Sequence, residues 1–410
     1  MRPTPTLALL LAACASRPVP VPESTPTPVA VPAPESATGS EPEAVTEAVT
    51  AEPARVSIPA IDAVVSSAIA ESKLPGAVVT VGRSNGILFQ RAYGHRSLVP
   101  ERTPMTEDVI FDLASLTKPL VTAALVHKLA EERKLGLGDP IARHLPELDG
   151  KRTGEITILQ LLLHSSGLPR VTRLRDYELP REQALANLLA TRTEHRPGAR
   201  YLYGDVAYLW LGVLIERVAG VPLDRLAREH LFQPLGLTHT RFRPPADWLP
   251  RIAPTERTDK RPSPLIHGVV HDPRAYRLGG VAGNAGLFST ADDLARLART
   301  LLQRGSLDGQ RVLSAHSVDT MTRPHPVGTR TVRTPGWDVR SDYDTHRGTR
   351  LSPAAYGHGG YTGVSLWIDP QLDLFVLFLS NRVHPDGDGN VLQLAGDVAD
   401  AAVAAIAPSA

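Results

Sequence analysis

Hydrophobic positions follow a regular period only from about residue 58 of the chain. Apolar residues between 58 and 69 recur at helical spacing, which predicts an amphipathic helix. The next two apolar runs, 77–81 and 87–93, are β-rich and are separated by Asn85-Gly86. An Asn-Gly turn between two such runs predicts a β-hairpin.

The region from residue 115 to about 240 has the pattern of a mostly helical segment. Its apolar stretches, 159–163, 184–189 and 208–218, are interpreted as helices. Proline-rich loops are expected from about 244 to 275.

The strand pattern returns near the C-terminus. The β-rich runs 363–368 and 374–379 flank the turn residues Asp369-Pro370-Gln371. Residues 395–406 are predicted to form a C-terminal helix. Strands at both ends with helices between them predict one sheet assembled from both chain ends, with a helical insertion. No internal repeat of fixed period is apparent.

The first 14 residues have the pattern of a lipoprotein signal peptide. Arg2 precedes the apolar run 7–11, and Leu11-Ala12-Ala13-Cys14 resembles a bacterial lipobox, in which Cys14 becomes the lipidated first residue. An ordinary secretory signal with an incidental cysteine is the alternative. The lipobox implies a bacterial cell-envelope protein that is attached to the membrane by its lipid and faces the periplasm. The residue after Cys14 is Ala15 and not the Asp that is linked to inner-membrane retention, which favours the outer membrane.

Residues 15–56 are rich in Pro, Glu, Ala, Thr and Ser and have few apolar side chains for a core. This composition predicts a disordered, extended tether between the lipid and a folded domain over 57–410.

Composition narrows the functional classes. The 410 residues carry a formal net charge of +1, and 5% are aromatic. Without a basic stripe or an aromatic platform, nucleic acid is not an expected partner. The single cysteine excludes an intramolecular disulfide and a Cys-x-x-Cys zinc site, and no His-Glu-x-x-His segment occurs. We therefore expect no metal and no cofactor, and the oligomeric state stays open.

The first chemical signal is Ser115-Leu116-Thr117-Lys118, which opens an apolar helical pattern. A spacing of three places Ser115 and Lys118 on one helix face, near an N-terminus that favours negative charge. A serine hydroxyl needs a neighbouring base to become a nucleophile, and a buried lysine can serve. An N-cap serine followed by a surface lysine is the alternative interpretation.

Two further motifs follow in order: Tyr203-Gly204-Asp205 and His358-Gly359-Gly360. With Ser-x-x-Lys, they make the chain resemble the serine β-lactamase and penicillin-binding-protein superfamily, in its class C β-lactamase-like branch. The resemblance extends over about 58–408 and includes 161–168, with His164-Ser165-Ser166-Gly167, and the Gly-rich segment 283–289. It implies an α/β fold: an antiparallel sheet flanked by helices, a mostly helical subdomain, and an active site between them.

The resemblance also implies residue roles. Ser115 is acylated, Lys118 helps to deprotonate it, and Tyr203 acts as general base. The backbone N–H groups of Ser115 and Tyr361 form the oxyanion hole. Gly359 and Gly360 keep the substrate-binding strand free of side chains.

Two positions depart from the family pattern. Asp205 replaces an asparagine and His358 replaces a lysine, which removes positive charge and puts amide recognition in doubt. His164, His267, His271 and Asp272 are interpreted as structural residues and not as a metal site.

The resemblance implies hydrolysis of a small ester or amide through an acyl-serine intermediate, with an esterase-like activity as the leading expectation. A D-alanyl peptidase or β-lactamase acting on cell-wall peptides or β-lactams is one alternative. An inactive envelope lipoprotein that binds peptidoglycan is another.

Overall fold

The central sheet joins the two ends of the folded chain. The computed structural model describes residues 53–341 and 347–406. The predicted signal peptide, Cys14 and the tether up to residue 52 lie outside the described residues. The strands, in chain order, are β1 Gly76–Arg83, β2 Gly86–Ser97, β3 Thr103–Pro104, β4 Phe111–Asp112, β5 Arg241–Phe242, β6 Leu287–Ser289, β7 Ser306–Leu307, β8 Gln310–Arg311, β9 His325–Val327, β10 Thr331–Arg333, β11 Asp338–Arg340, β12 Tyr356–Gly360, β13 Val364–Asp369 and β14 Leu374–Ser380.

The helices cover this sheet and fill the middle of the chain. They are α1 Pro59–Ala70, α2 Ala124–Glu131, α3 Ile158–Leu162, α4 Arg181–Leu189, α5 Val206–Ala219, α6 Leu223–Ala227, α7 Pro273–Arg277, α8 Ala291–Leu302, α9 Ala315–Thr322 and α10 Leu392–Ile406. The structure confirms the predicted N-terminal helix as α1, the hairpin as β1–β2, and the C-terminal helix as α10.

The strand order of the nine-stranded sheet is β3-β2-β1-β14-β13-β12-β11-β10-β9, and each pair is antiparallel. In β1, Val79 and Val81 contribute to the core beneath α1 and α10, whereas Val78 contributes to the core on the opposite face. In β14, Phe378 and Leu379 divide in the same way. Both strands are buried on two faces because side chains alternate along a strand and helices cover each side.

A small three-stranded sheet leads into the candidate site. Its order is β4-β6-β5, so β6 lies between strands that are distant in sequence. Phe111 pairs with Ser289, and Asp112 pairs with Phe288. This sheet fixes the segment that immediately precedes Ser115.

Two regions differ from the sequence-based expectation. Strands β9–β11 were not predicted, because each has only three residues and no sustained alternation. The region 115–240 contains several short 3-10 turns between its helices, and residues Lys118–Ala123 form a π-helical segment ahead of α2.

No single helix in the described residues is long and apolar enough to cross a membrane. One bent pair, Val206–Ala219 with Leu223–Phe232, reaches that length and composition together, with an angle of 77° between its parts.

Candidate active site

Ser115 lies in a tight turn between β4 and the π-helical segment. Residues Ala114–Leu116 form a 3-10 turn, and Ala114 has a φ of 45°, a left-handed conformation that costs energy for a residue with a Cβ. Asp112 holds this turn, since the Ala114 N–H donates to its Oδ1 at 2.8 Å. The turn places the Ser115 side chain at the edge of a cavity.

Lys118 is fully buried and points at the serine. Its Nζ donates to Ser115 Oγ at 2.8 Å, to Asp205 Oδ1 at 2.8 Å and to the carbonyl of Asn284 at 3.1 Å. The expected placement of Ser115 and Lys118 on one face is therefore observed, although the backbone between them is not a regular α-helix. Three acceptors match the three N–H donors of a lysine ammonium.

The second motif reaches the same point from the N-terminal side of α5. Gly204 is required there, because a Cβ would lie 2.5 Å from the Cα of Arg170. The backbone N–H of Asp205 donates to the Arg170 carbonyl at 2.7 Å. This close contact holds Tyr203 and Asp205 on either side of a residue that carries no side chain.

The Tyr203 phenol lies between the serine and a group of buried cations. Lys118 Nζ lies 5.3 Å from its ring centre. Burial raises the pKa of Tyr203 well above its usual value, the Asp205 carboxylate raises it further, and the neighbouring Ser115 side chain and the charge of Arg333 oppose the increase. Tyr203 is therefore a phenol in most molecules at neutral pH.

His164 supports the second motif. Its ring centre lies 4.6 Å from that of Tyr203, and its Nδ1 accepts from the Gly204 N–H at 3.4 Å. Its backbone φ is 54°, and its carbonyl accepts from the Leu202 N–H at 2.9 Å. Burial holds the pKa of His164 well below its usual range, so the ring is neutral. The segment 161–168 thus forms a turn against which Tyr203 packs.

The third motif lies on β12. His358 is fully buried, its ring centre is 5.8 Å from that of Tyr203, and its Nδ1 lies 2.7 Å from the Gly359 carbonyl. Because a carbonyl only accepts, Nδ1 carries a proton. Gly360 allows β12 to approach the serine turn, since a Cβ there would lie 2.5 Å from the Leu113 carbonyl.

Tyr361 follows β12 and is exposed over 56% of its surface. Its side chain lines the cavity with Ser115, where His271 stacks on it at 5.4 Å and Arg382 lies 4.6 Å from its ring centre. The assignment of the Ser115 and Tyr361 N–H groups to an oxyanion hole stays a prediction.

The histidines interpreted as structural make local contacts. His267 Nε2 lies 3.0 Å from the Ile252 carbonyl, and the backbone N–H of His271 donates to Asp112 Oδ2 at 2.6 Å. Asp272 accepts the N–H groups of Arg274 and Ala275 at the start of α7. Burial and the charge of Asp205 raise the pKa of Asp272.

The cavity beside Ser115 has a volume of about 540 Å³ and contains charged groups of both signs. Its acidic lining residues are Asp205, Glu256 and Asp272, and its basic ones are Lys260, Arg261 and Arg277. The Arg261 guanidinium donates to the carbonyls of Val270 and His271, both at 2.6 Å.

Sequence reasoning assigned no part in the site's chemistry to four residues around it. His164 is interpreted as structural and Asn284 lies in the Gly-rich segment 283–289, while Asp112 and Arg333 are not distinguished from other charged residues. A buried charge in a short strand was a possible signal for Arg333, but β10 is too short to be recognised from its pattern. Only the tertiary contacts show that these four residues lie at the site.

The model of the family described as Beta-lactamase matches residues 61–400. An Escherichia coli (strain K12) protein named "Putative D-alanyl-D-alanine carboxypeptidase" is 33% identical over 346 residues, which cover 76% of this chain and 79% of that protein.

Solved structures show the same architecture. A penicillin-binding protein homologue from Caulobacter crescentus is 22% identical, with a TM-score of 0.69, and the match covers 86% of this chain and 98% of that one. EstCE1, described as a hydrolase with promiscuous acyltransferase activity, is 25% identical, with a TM-score of 0.66, and the match covers 84% of this chain and 97% of that one. The expected α/β fold with an antiparallel sheet and flanking helices is confirmed. The chain belongs to the beta-lactamase family.

Proposed function

We propose that this protein is a serine hydrolase that transfers the acyl group of an ester or amide first to Ser115 and then to water. The observation that carries the proposal is the contact of the fully buried Lys118 ammonium with Ser115 Oγ at 2.8 Å, at the edge of an open cavity. A surface lysine beside an N-cap serine would not be buried or hold three acceptors.

The proposed acylation moves one proton and exchanges one bond. In the fraction of molecules in which Tyr203 has lost its proton to solvent, the Ser115 proton passes to the Tyr203 phenolate as Oγ bonds to the substrate carbonyl carbon. The bond to the leaving group then breaks, and Tyr203 returns the proton to that group. Lys118 donates to Oγ throughout and stabilises its developing charge. Water repeats the sequence at the acyl-enzyme and releases the acid.

We propose neutral short-chain esters as the preferred substrates. Asp205 places a carboxylate in the cavity, and His358 does not carry the permanent charge of the family's lysine. A carboxylate close to the scissile bond is therefore poorly stabilised. The similarity to EstCE1, whose description names a hydrolase with acyltransferase activity, supports this choice.

A D-alanyl carboxypeptidase is the second candidate, and a specific feature favours it. Lys260, Arg261 and Arg277 line the same cavity and can bind the terminal carboxylate of a peptide. The name of the 33% identical relative agrees with this alternative.

Fluorophosphonate labelling followed by mass spectrometry tests the acyl-transfer proposal. We expect one adduct, on Ser115, and no adduct or turnover in a folded Ser115→Ala variant. Ser165→Ala is the matched control, because Ser165 is buried in the adjacent turn and has no proposed chemical role. An adduct on another serine rejects the assignment. No adduct, with binding to purified peptidoglycan, supports the inactive envelope protein.

A substrate panel decides between the two candidates. With p-nitrophenyl butyrate, nitrocefin and a D-alanyl-D-alanine peptide, we expect the highest kcat/KM for the ester. A higher value for the peptide selects the carboxypeptidase.

We also propose that Cys14 is lipidated and that residues 15–56 tether the domain to the bacterial envelope, facing the periplasm. The lipobox-like residues 11–14 and the proline-rich composition support this location. Ala15 favours the outer membrane.

A further inference from the structure

Arg333 is a buried cation next to the second motif. It is the last residue of β10 and has no exposed surface. Its Nη1 donates to the Tyr201 hydroxyl at 3.2 Å, and its carboxylate neighbour is Asp338, with Nη1 and Oδ2 3.7 Å apart. Moving a charged side chain out of water costs free energy. A fully buried arginine beside reactive groups therefore calls for a functional explanation.

The guanidinium faces the tyrosine proposed as general base. Its central carbon lies 5.9 Å from the ring centre of Tyr203 and 5.7 Å from that of Tyr201. Tyr201 and Tyr203 belong to one short segment, so a single arginine both contacts this segment and places positive charge beside it.

We propose that Arg333 positions Tyr203 and supplies the permanent positive charge that favours its phenolate. This inference rests on the proposed acyl transfer, in which Tyr203 accepts the Ser115 proton. In this chain the third motif has His358 where the family often has a lysine. Arg333 approaches Tyr203 from a different strand, β10, and so provides a cation that the third motif lacks.

The other groups that face Tyr203 do not replace this charge. Lys118 lies 5.3 Å from its ring, but Asp205 pairs with Lys118 at 2.8 Å and opposes its effect. His164 is neutral because burial lowers its pKa, and His358 is a histidine without permanent charge.

Asp338 is the counterion of Arg333, and it neutralises the charge of Arg333 less completely than Asp205 neutralises the charge of Lys118. Asp338 is 3.7 Å from Arg333, and it also accepts a hydrogen bond from the Ser341 hydroxyl at 2.7 Å. The Arg333 ion pair is therefore longer than the Lys118–Asp205 pair, and more of its positive charge acts on the neighbouring phenols.

The test is the pH dependence of fluorophosphonate inactivation, which reports acylation of Ser115 alone. Removing a cation near a phenol raises the phenol's pKa, so the rising limb of the profile should move to higher pH. For Arg333→Met we expect a shift of about one pH unit and a loss of about tenfold in rate at pH 7, since a charge at this distance shifts a pKa by about 1–3 units. Arg333→Lys should retain most of the original midpoint.

Three further variants separate charge from packing. Arg333→Met with Asp338→Asn removes both buried charges and should shift the limb to higher pH, but by less than Arg333→Met does, because the loss of the carboxylate opposes the loss of the cation. Asp338→Asn alone should shift it to lower pH, because it removes a negative charge and keeps the arginine. Tyr201→Phe removes the hydrogen bond but not the charge, so the rate can fall while the midpoint stays.

The two proposals fail in different ways. If wild-type protein is not labelled on Ser115, the proposed function is wrong. If it is labelled, Tyr203→Phe should remove the rising limb. An unmoved midpoint in the folded double variant and in Asp338→Asn rejects the role of Arg333 and leaves the acyl transfer intact. If the arginine variants do not fold, the Asp338→Asn profile alone tests the role of Arg333. A shift of its midpoint to lower pH supports that role, and an unmoved midpoint rejects it.

Discussion

Individual side chains at the site contact each other across large distances in sequence. Lys118 binds Ser115, three residues away, and also Asp205 and the carbonyl of Asn284. The replacement of the family's asparagine by Asp205 therefore changes two things. It gives Lys118 a carboxylate partner, and it raises the pKa of Tyr203.

The substitution Asp205→Asn tests the effect on the pKa of Tyr203. Asp205 raises the pKa of Tyr203, so its removal lowers that pKa and should move the rising limb of the inactivation profile to lower pH. This shift is opposite in sign to that expected for Arg333→Met. Asp259→Asn, an exposed carboxylate, is the control and should leave the midpoint unchanged. A shift to higher pH would falsify this electrostatic account.

The double change His358→Lys and Asp205→Asn restores the family pattern. It adds a permanent cation and an amide donor, and a hydrogen bond to a charged group contributes roughly 1.5–3 kcal/mol. We expect the ratio of kcat/KM for nitrocefin to that for p-nitrophenyl butyrate to rise by about ten- to a hundredfold. An unchanged ratio means that Lys260, Arg261 or Arg277 already provides the carboxylate contact.

At the scale of elements, glycines set how closely segments approach the site. Helix α5 packs against the Gly-rich segment, where a Cβ on Gly283 would lie 2.1 Å from the Tyr208 carbonyl. Thr122 fixes the same segment through a hydrogen bond to the Gly283 carbonyl at 2.7 Å. The next residue, Asn284, then presents its carbonyl to Lys118.

We expect Gly283→Ala to lower the free energy of unfolding by about 1–3 kcal/mol, the usual cost of overpacking. The backbone of α5 cannot move away as a flexible side chain would. Gly138→Ala is the matched control, because Gly138 is exposed and its Cβ meets nothing within 4 Å. Urea unfolding of both variants measures the difference, and equal values contradict the close-packing argument.

The capping of α3 offers a smaller test. Thr157 and Gln160 form a capping box, in which the Gln160 N–H donates to Thr157 Oγ1 at 3.2 Å. Thr157→Ala should cost about 1 kcal/mol of stability. Thr157 caps the end of α3 that is remote from the turn of His164, so activity should fall only as far as the folded fraction does. A larger loss of activity in the folded variant means that α3 also positions the site.

At the scale of the whole molecule, the site residues meet where the sheet and the helical region come together. Ser115 and Lys118 follow β4, Tyr203 and Asp205 precede α5, and His358 lies on β12 in the central sheet. The predicted lipid anchor lies far from these residues in sequence and outside the described residues. Attachment and catalysis should therefore be separable.

The substitution Cys14→Ser tests the anchor independently of the chemistry. We expect the precursor to remain uncleaved or the protein to leave the membrane fraction, while fluorophosphonate labelling of Ser115 persists. Fractionation followed by labelling measures both properties. Normal membrane fractionation of this variant contradicts the lipobox interpretation.

Sequence alone determined the elements and motifs that have strong local causes. The β1–β2 hairpin follows from its Asn-Gly turn and β-rich flanks, and α1 and α10 follow from apolar spacing. The order of the three motifs identified the family and the fold. These features are readable because they depend on residues that are near one another in the chain or occur in a recognisable order.

Only the tertiary structure decided which groups surround Ser115. The three-residue strands β9–β11 lack enough alternation to be predicted, and β10 carries Arg333 to within 5.9 Å of the Tyr203 ring. His164 reaches that ring from a turn 39 positions earlier, with centres 4.6 Å apart. Sequence spacing does not encode such distances, because they arise when sheet pairing and helix packing bring remote segments together. The charge that acts on Tyr203 is therefore a property of the fold.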